Sequence, residues 1–344
     1  MRIIIYGTGA VGGYIGVSLA LGHHTIDFIG RPRVVAAVRQ EGFVLRTDDG
    51  DRHLMTDAVF PSMESALAAG SPDLILLTVK AYDCEGAAND IAASSTTAPV
   101  VSLINGIGSE TILTNHLGPD RVLAGTVTTA VEMPSPNRIL VRRARGVGLA
   151  EGHPAAAELA QALIESGVPV RQYDRPAAMK WSKLLTNLTA NASAAITGLP
   201  ADQIYRDSRL FRLEIRALRE AINVIHHLGL PIVNLPGVPV RPLTWAVRMP
   251  PFISQPLLRP AIAGGRGGKM PSMFYDVGRG RTEVEWLNGA VVSTAQRLGL
   301  PAPANFTLTE KVRQLADEPA SIEQHRLSPS DLIALARTNG VTGL

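Results

Sequence analysis

The sequence predicts an α/β protein, with an N-terminal Rossmann-type doubly wound parallel sheet followed by a C-terminal all-helical half. Three observations carry this expectation. Short β-branched or apolar runs alternate with amphipathic stretches through the first half. From about Pro176 the periodicity becomes that of long helices. A glycine-rich turn joins the first strand directly to the first helix.

Arg2–Tyr6 contains Ile3, Ile4 and Ile5 and ends at Gly7, a run suited to a strand buried on both faces. Residues 10–21 read as a helix, 25–29 as a second strand and 32–41 as a second helix with Pro32 at its start. Residues 73–79 (DLILLTV) and 99–103 (PVVSL) are further buried strands, with helices over 63–69 and 83–93. Residues 122–131 and 138–149 add strands, and 168–171 supplies the last one. Helices are expected over 177–196, 210–228, 282–298 and 307–317. The resulting division is a dinucleotide-binding domain over 1–172, a helical substrate and catalytic domain over 173–318, and a tail over 319–344 without an assigned role.

A length of 344 residues suits about two domains at roughly 150 residues each. Hydrophobic residues make up 46% and charged residues 18%, against a typical charged share of about 25%, which excludes a disordered chain. The net charge of +3 is too small to argue for nucleic acid and suits an anionic small-molecule partner. A single cysteine, Cys84, leaves no intrachain disulfide and no Cys-rich zinc site, so no metal is expected and the compartment read is the reducing cytoplasm. The apolar N-terminus is interrupted by Gly7, Gly9, Gly12, Gly13 and Gly16, which suits a buried strand and helix better than a signal peptide. Other apolar runs fall far short of the ~20 residues that span a bilayer, so no membrane partner is expected.

Gly7-Thr8-Gly9-Ala10-Val11-Gly12 matches GxGxxG. After a strand and before a helix, the pattern has a mechanism. Gly7 makes the tight turn, Gly9 admits a diphosphate to the backbone, and Gly12 lets helix and strand pack closely. The diphosphate sits on the helix N-terminus, where N–H groups and the dipole favour negative charge. The second strand ends Phe28-Ile29-Gly30-Arg31-Pro32-Arg33, with no carboxylate at its tip to accept from a ribose 2′-hydroxyl. Asp27 lies inside the strand. Arg31 suits a 2′-phosphate, so NADP(H) is the expected cofactor; Arg33 reads equally as a solvated helix residue.

Lys80 follows one predicted strand and Asn105-Gly106 another, both at carboxyl edges where such sheets place ligands. A solvated strand-end lysine and an ordinary Asn-Gly turn are the plain alternatives. Lys183, Asn187 and Asn191 recur every four residues on one predicted helix, among Met179, Trp181, Leu184, Leu185 and Leu188. They line either a polar cleft or a solvated stripe. Glu283 and Glu285 after Thr282 suit a helix's first turn, or one of them faces the same cleft as Lys183. A lysine can protonate the alkoxide left by hydride transfer to a ketone, and a carboxylate and amides can orient substrate hydroxyls. Residues 221–275 hold no Asp or Glu but carry Arg241, Arg248, Arg259, Arg266, Lys269 and many prolines. They form either a Pro-broken helical insertion on the core or a basic lid or subunit contact.

Taken together, GTGAVGGYIG at 7–16, GR at 30–31, TVKAYD at 78–83, LINGIG at 103–108, KWSKLLTNLTANASAAITG at 180–198, GGKMPSM at 267–273 and TEVEWLNG at 282–289 resemble the ketopantoate reductases (2-dehydropantoate 2-reductases). The resemblance runs in order to about residue 315. It implies an NADP-binding domain, a helical catalytic domain, and reduction of ketopantoate to pantoate on the way to pantothenate and coenzyme A. It implies Lys183 as general acid and Glu283 as the carboxylate that positions the substrate. Asn105, Asn187, Asn191 and Ser272 correspond to substrate and nicotinamide contacts, Arg31 and Lys80 to contacts with the NADP phosphate. Two features depart from the pattern: the Pro-rich stretch over 231–268 is longer than in compact members, and the spacing from Ser272 to Glu283 is about one residue short. Reduction of another branched 2-oxo acid or ketone, and non-catalytic NADP(H) binding, are the alternatives. A homodimer through the helical half also stays open.

Overall fold

The computed structural model describes residues 1–266 and 270–344, and the side chains of all of these except 263–266. Lys269 and the side chain of Arg266, both counted in the basic stretch, therefore lie outside the described residues, as do the first three residues of GGKMPSM. The chain forms two compact units: Met1–Ile104, Gly108–Lys180 and Leu235–Val238 in the first, and Asn105–Ile107, Trp181–Asn234 and Pro239–Leu344 in the second.

The first unit begins β1 (Arg2–Tyr6), α1 (Ala10–Leu21), β2 (Thr25–Ile29), α2 (Pro32–Glu41), β3 (Phe43–Thr47), β4 (Gly50–Leu54) and β5 (Val59–Phe60). It continues α3 (Met63–Ala69), β6 (Leu74–Leu77), α4 (Cys84–Ala93), β7 (Val100–Ser102), α5 (Ser109–Leu117) and β8 (Val122–Val127). It closes with β9 (Ala130–Ser135), β10 (Arg138–Arg143), β11 (Val147–Ala150), α6 (Pro154–Glu165) and β12 (Val170–Tyr173). Among the described residues, eight strands form the main sheet in the order β12-β11-β8-β7-β6-β1-β2-β5. It is parallel except between β8 and β11. Its central strand β1 pairs Ile3 with Ile26 on one side and Leu74 on the other. Ile3, Ile4 and Ile5 are buried, as a strand covered on both faces requires.

A second sheet, ordered β4-β3-β10-β9, was not foreseen as a separate layer. The strand expected over 122–131 is interrupted: β8 stays in the main sheet, while β9 leaves for the small one. The interruption has a cause in side-chain bonding. Thr129 Oγ1 accepts from the backbone N–H groups of Arg145 and Gly146, at 3.1 and 3.0 Å. Strand pairing is thereby redirected at the 128–129 step. The small sheet explains why α1 is so rich in glycine. A side chain at Gly16 would strike Phe28 and Ile5 of the main sheet, and one at Gly13 would strike Ile139 of the small one. The helix lies close between two sheets, and residues without a β-carbon permit that approach.

The helical elements that follow are α7 (Pro176–Leu188), α8 (Asn191–Thr197), α9 (Ala201–Arg206), α10 (Ser208–His227), α11 (Val240–Arg248) and α12 (Pro251–Arg266). Then come α13 (Ser272–Val277), α14 (Asn288–Arg297), α15 (Pro303–Asp317), α16 (Ile322–His325) and α17 (Pro329–Thr338). The organising helix is α10. Asp207 caps it by accepting from the Arg209 and Leu210 N–H groups at 2.8 and 3.2 Å. Its buried face carries Leu210, Leu213, Ala217, Leu218, Ala221 and Ile225, an i, i+3, i+4 stripe.

Three expectations change here. The helix expected over 177–196 is two helices, α7 and α8, separated at Thr189–Ala190, where Ala190 takes φ +54°. The helix expected from Thr282 begins at Asn288; a single 3₁₀ turn, Val284–Trp286, precedes it because the Thr282 hydroxyl takes the Val284 N–H and makes a local turn. The prolines at 256 and 260 do not break α12, which runs through both. They stand four residues apart on the exposed side of the helix, and α12 buries Ser254, Leu258 and Ile262 opposite. The basic stretch is thus a pair of helices packed along one face, with Trp245, Phe252, Ile253 and Leu257 exposed on the other. The tail over 319–344 folds as α16 and α17 and buries Leu332, Ile333 and Ala336 in the second unit. No described helix is long and apolar enough to cross a membrane.

Candidate active site

The glycine fingerprint closes β1 and opens α1. Gly7 has φ +107°, and a β-carbon there would lie 2.8 Å from the Val79 nitrogen. Both its conformation and its space exclude a side chain. The Gly7 and Thr8 N–H groups donate to Ile29 O at 3.1 and 3.0 Å, and the Thr8 hydroxyl donates to the same carbonyl at 2.9 Å. The turn is thus bound to the end of β2. Thr78 Oγ1 donates to Gly7 O at 2.7 Å and binds it to the end of β6. At Gly12 a β-carbon would come within 2.4 Å of Gly7 O and Thr78 Oγ1, so helix and strand meet there without room for a side chain. Gly9 differs. Nothing lies within 4 Å of where its β-carbon would be, and no side chain caps α1. The turn is therefore closed at Gly7 and Gly12 and open at Gly9, at the N-terminus of a 12-residue helix with no acidic residue in its first turn. That shape and polarity fit the diphosphate of a dinucleotide.

Arg31 lies just beyond β2, exposed, and Lys80 just beyond β6, half-buried. The structure adds a residue the sequence argument passed over. Asp83 Oδ2 stands 3.7 Å from Arg31 Nη2. No carboxylate follows β2 in sequence, yet one reaches its tip from the turn after β6. The available signal was topological: carboxyl ends of strands in one parallel sheet share an edge, and Asp83 belongs to the same TVKAYD segment as Lys80. Nearby, the Tyr6 hydroxyl donates to Asp90 Oδ2 at 2.5 Å, and burial followed by that carboxylate raises the phenol well above its ordinary range.

In the second unit, Lys183 and Asn187 stand one turn apart on α7. Asn187 Nδ2 donates to Asn105 Oδ1 at 3.3 Å. Asn191 does not continue that helical face, because α7 has ended. Its position is set by Glu214 of α10, which is buried and accepts from the Ala190 N–H at 2.6 Å and the Ser193 hydroxyl at 2.5 Å. One carboxylate thereby holds the left-handed residue and the first turn of α8. Asn191, also buried, accepts from the Met273 N–H at 3.1 Å and so fixes the residue after Ser272. Ser272 is exposed at the start of α13.

The two glutamates separate clearly. Glu285 is exposed and ion-paired with Arg313 at 2.7 Å. Glu283 is 5% exposed and precedes the 3₁₀ turn. That turn is gripped by the Asn105 loop: the Ile107 N–H donates to Trp286 O at 2.9 Å, and a β-carbon at Gly106 (φ +88°) would lie 2.5 Å from the same oxygen. Among the described residues, no group of three or more His, Cys, Asp or Glu could hold a metal ion.

The comparisons with known proteins bear on these geometries. Residues 3–151 match the family model of ketopantoate reductase PanE/ApbA, and residues 177–316 match the model of its C-terminal part. The 2-dehydropantoate 2-reductase of Halobacterium salinarum is 28% identical over 320 residues, covering 91% of this chain and 98% of that one. A ketopantoate reductase family structure from Ralstonia eutropha JMP134 aligns with TM-score 0.79 at 28% identity, covering 93% of this chain and 100% of the other. A ternary structure of D-mandelate dehydrogenase with NADH and anilino(oxo)acetate shares the fold at 20% identity, with TM-score 0.75 over 93% of this chain and 100% of the other. The chain is an oxidoreductase and belongs to the ketopantoate reductase family.

Proposed function

We propose that the chain reduces a 2-oxo acid to a 2-hydroxy acid with NADPH, ketopantoate to pantoate being the reaction best supported, in the cytoplasm. One observation carries the reading beyond family membership. Asn187, one turn after Lys183 on α7, is bonded to Asn105, which follows the carboxyl edge of β7, and this supports a reading in which the proposed proton donor and two amides serve one substrate.

Gly7, Thr8, Gly9, Ala10, Val11 and Gly12 hold the cofactor diphosphate, with the opening at Gly9 admitting it. Arg31 and Lys80 bind the 2′-phosphate, and Asn105 contacts the nicotinamide or the substrate. NADPH, when held by these residues, would supply a hydride for the substrate's carbonyl carbon. Lys183 supplies the proton to the carbonyl oxygen, so that one C–H and one O–H bond replace the C=O π bond. Glu283, withdrawn from water, accepts from a substrate hydroxyl, and Asn187, Asn191 and Ser272 fix the acid's orientation.

The test is NADPH oxidation by purified protein with ketopantoate, beside NADH and other branched 2-oxo acids. The reading expects the fastest turnover with NADPH and ketopantoate. NADPH binding with turnover only of another oxo acid would replace the substrate, and failure to bind NADPH would overturn the reading.

A further inference from the structure

Lys180 opens the KWSK segment, yet the chemistry above uses only the second lysine. Lys180 is 5% exposed, which is unusual for this side chain. Its Nζ donates to Ile104 O at 2.6 Å and lies 2.7 Å from Glu110 Oε1. The contact with Glu110 is a close ion pair without hydrogen-bond alignment. Ile104 precedes the Asn105-Gly106-Ile107-Gly108 loop, and Glu110 follows it on the first turn of α5. One ammonium therefore touches both stems of that loop. The loop needs such a hold: Gly106 and Gly108 both take positive φ, at +88° and +114°, and no strand or helix runs through it. Everything it carries lies between the stems, namely Asn105, which accepts from Asn187, and Ile107, which donates to the turn after Glu283. Lys180, Lys183 and Asn187 follow i, i+3, i+7 spacing, so α7 presents all three on one side.

We infer that Lys180 is a positioning residue that closes the Asn105–Gly108 loop by binding both of its stems, and so holds Asn105 for the substrate and the Ile107 N–H on Trp286 O. The kinetic part of this inference rests on the proposed reaction; the structural part does not.

The experiment uses the full chain and two readouts. Hydrogen exchange compares wild type with Lys180→Met, and with Glu110→Gln should Lys180→Met not fold. The expected result is exchange at least about tenfold faster over 104–110, including the Ile107 N–H, with α10 unchanged. The second readout is a cycle of Lys180→Met, Asn105→Ala and the double variant, measured by KM and kcat for ketopantoate. The expected result is about a tenfold or larger rise in KM for Lys180→Met, NADPH binding within about threefold of wild type, and a double variant no more than about threefold worse than Asn105→Ala. Unchanged exchange over 104–110, or exchange raised equally throughout the helical unit, would overturn the inference, as would losses that multiply in the double variant. If wild type does not reduce ketopantoate, the proposed reaction falls, and the exchange result still decides Lys180.

Discussion

The two units carry their proposed site residues in opposite ways. In the first, the proposed diphosphate cradle is six consecutive residues, Gly7 to Gly12, held by the ends of β2 and β6. The second carries the proposed site residues Asn105, Lys183, Asn187, Asn191, Ser272 and Glu283 on four separate stretches of chain, and residues outside that set bond the backbone around some of them. Ala190 is left-handed just before Asn191, which accepts from the Met273 N–H, and Glu214 on another helix accepts from the Ala190 N–H. A contiguous site tolerates change elsewhere. A gathered one is sensitive to residues that never touch the substrate.

The largest effect that sharpens this contrast is at Lys183. Lys183→Met should lower kcat by about 10²- to 10⁴-fold, the range of a lost general acid, while NADPH binding by fluorescence titration stays near wild type. Loss of both together would mean that the two units do not divide the work as described.

Next comes the cofactor side. Arg31→Ala should weaken NADPH by about 10- to 100-fold and leave NADH nearly unchanged, since a charged hydrogen bond contributes roughly 1.5–3 kcal/mol. Asp83→Asn should act in the opposite sense and more weakly, because it releases Arg31 from its 3.7 Å ion pair. Equal losses of NADPH and NADH at Arg31 would remove the phosphate contact from the account.

The smallest effect concerns packing at the carboxyl edge. Cys84 is buried, its Sγ lies 3.8 Å from Ser109 O, and burial, followed by Glu110 and Glu85, pushes the thiol up to about 12. The unfolded thiol ionises near its ordinary value of about 8.5 and the folded one does not. Above that pH the folded state holds the extra proton, so stability falls as pH rises towards about 12. Urea unfolding between about pH 9 and 10 should show wild type losing up to about 1.4 kcal/mol per pH unit more than Cys84→Ala. Parallel slopes would show that the thiol ionises in the folded protein.

What was legible in the sequence follows the same division. The GxGxxG turn, β1, α1, β2 and α2 could be read because the chemistry and its context lie within 40 or so residues. The position of Arg31 at the end of β2 could be read for the same reason, whereas its partner Asp83 could not, since their proximity comes from strand order. The small sheet escaped because β3 and β10 pair across a long stretch of chain. The break at Ala190 escaped because alanine favours a helix; only a buried carboxylate from α10 makes the left-handed turn worth its strain. Thr282 read as a helix start, and its hydroxyl instead makes the turn that leaves Glu283 outside any helix. The resemblance of motifs selected Glu283 over Glu285, a choice that periodicity left open.

The central claim is direct hydride delivery to a 2-oxo acid with proton supply from Lys183. It is tested most directly by single turnover of wild type and Lys183→Met with 4-deuterated NADPH and ketopantoate, followed by NMR of the product. The account predicts deuterium at C2 of pantoate from wild type, and from the variant the same label at a rate at least about 100-fold lower. Pantoate without deuterium from either face of the cofactor, or an undiminished rate in the variant, would contradict it.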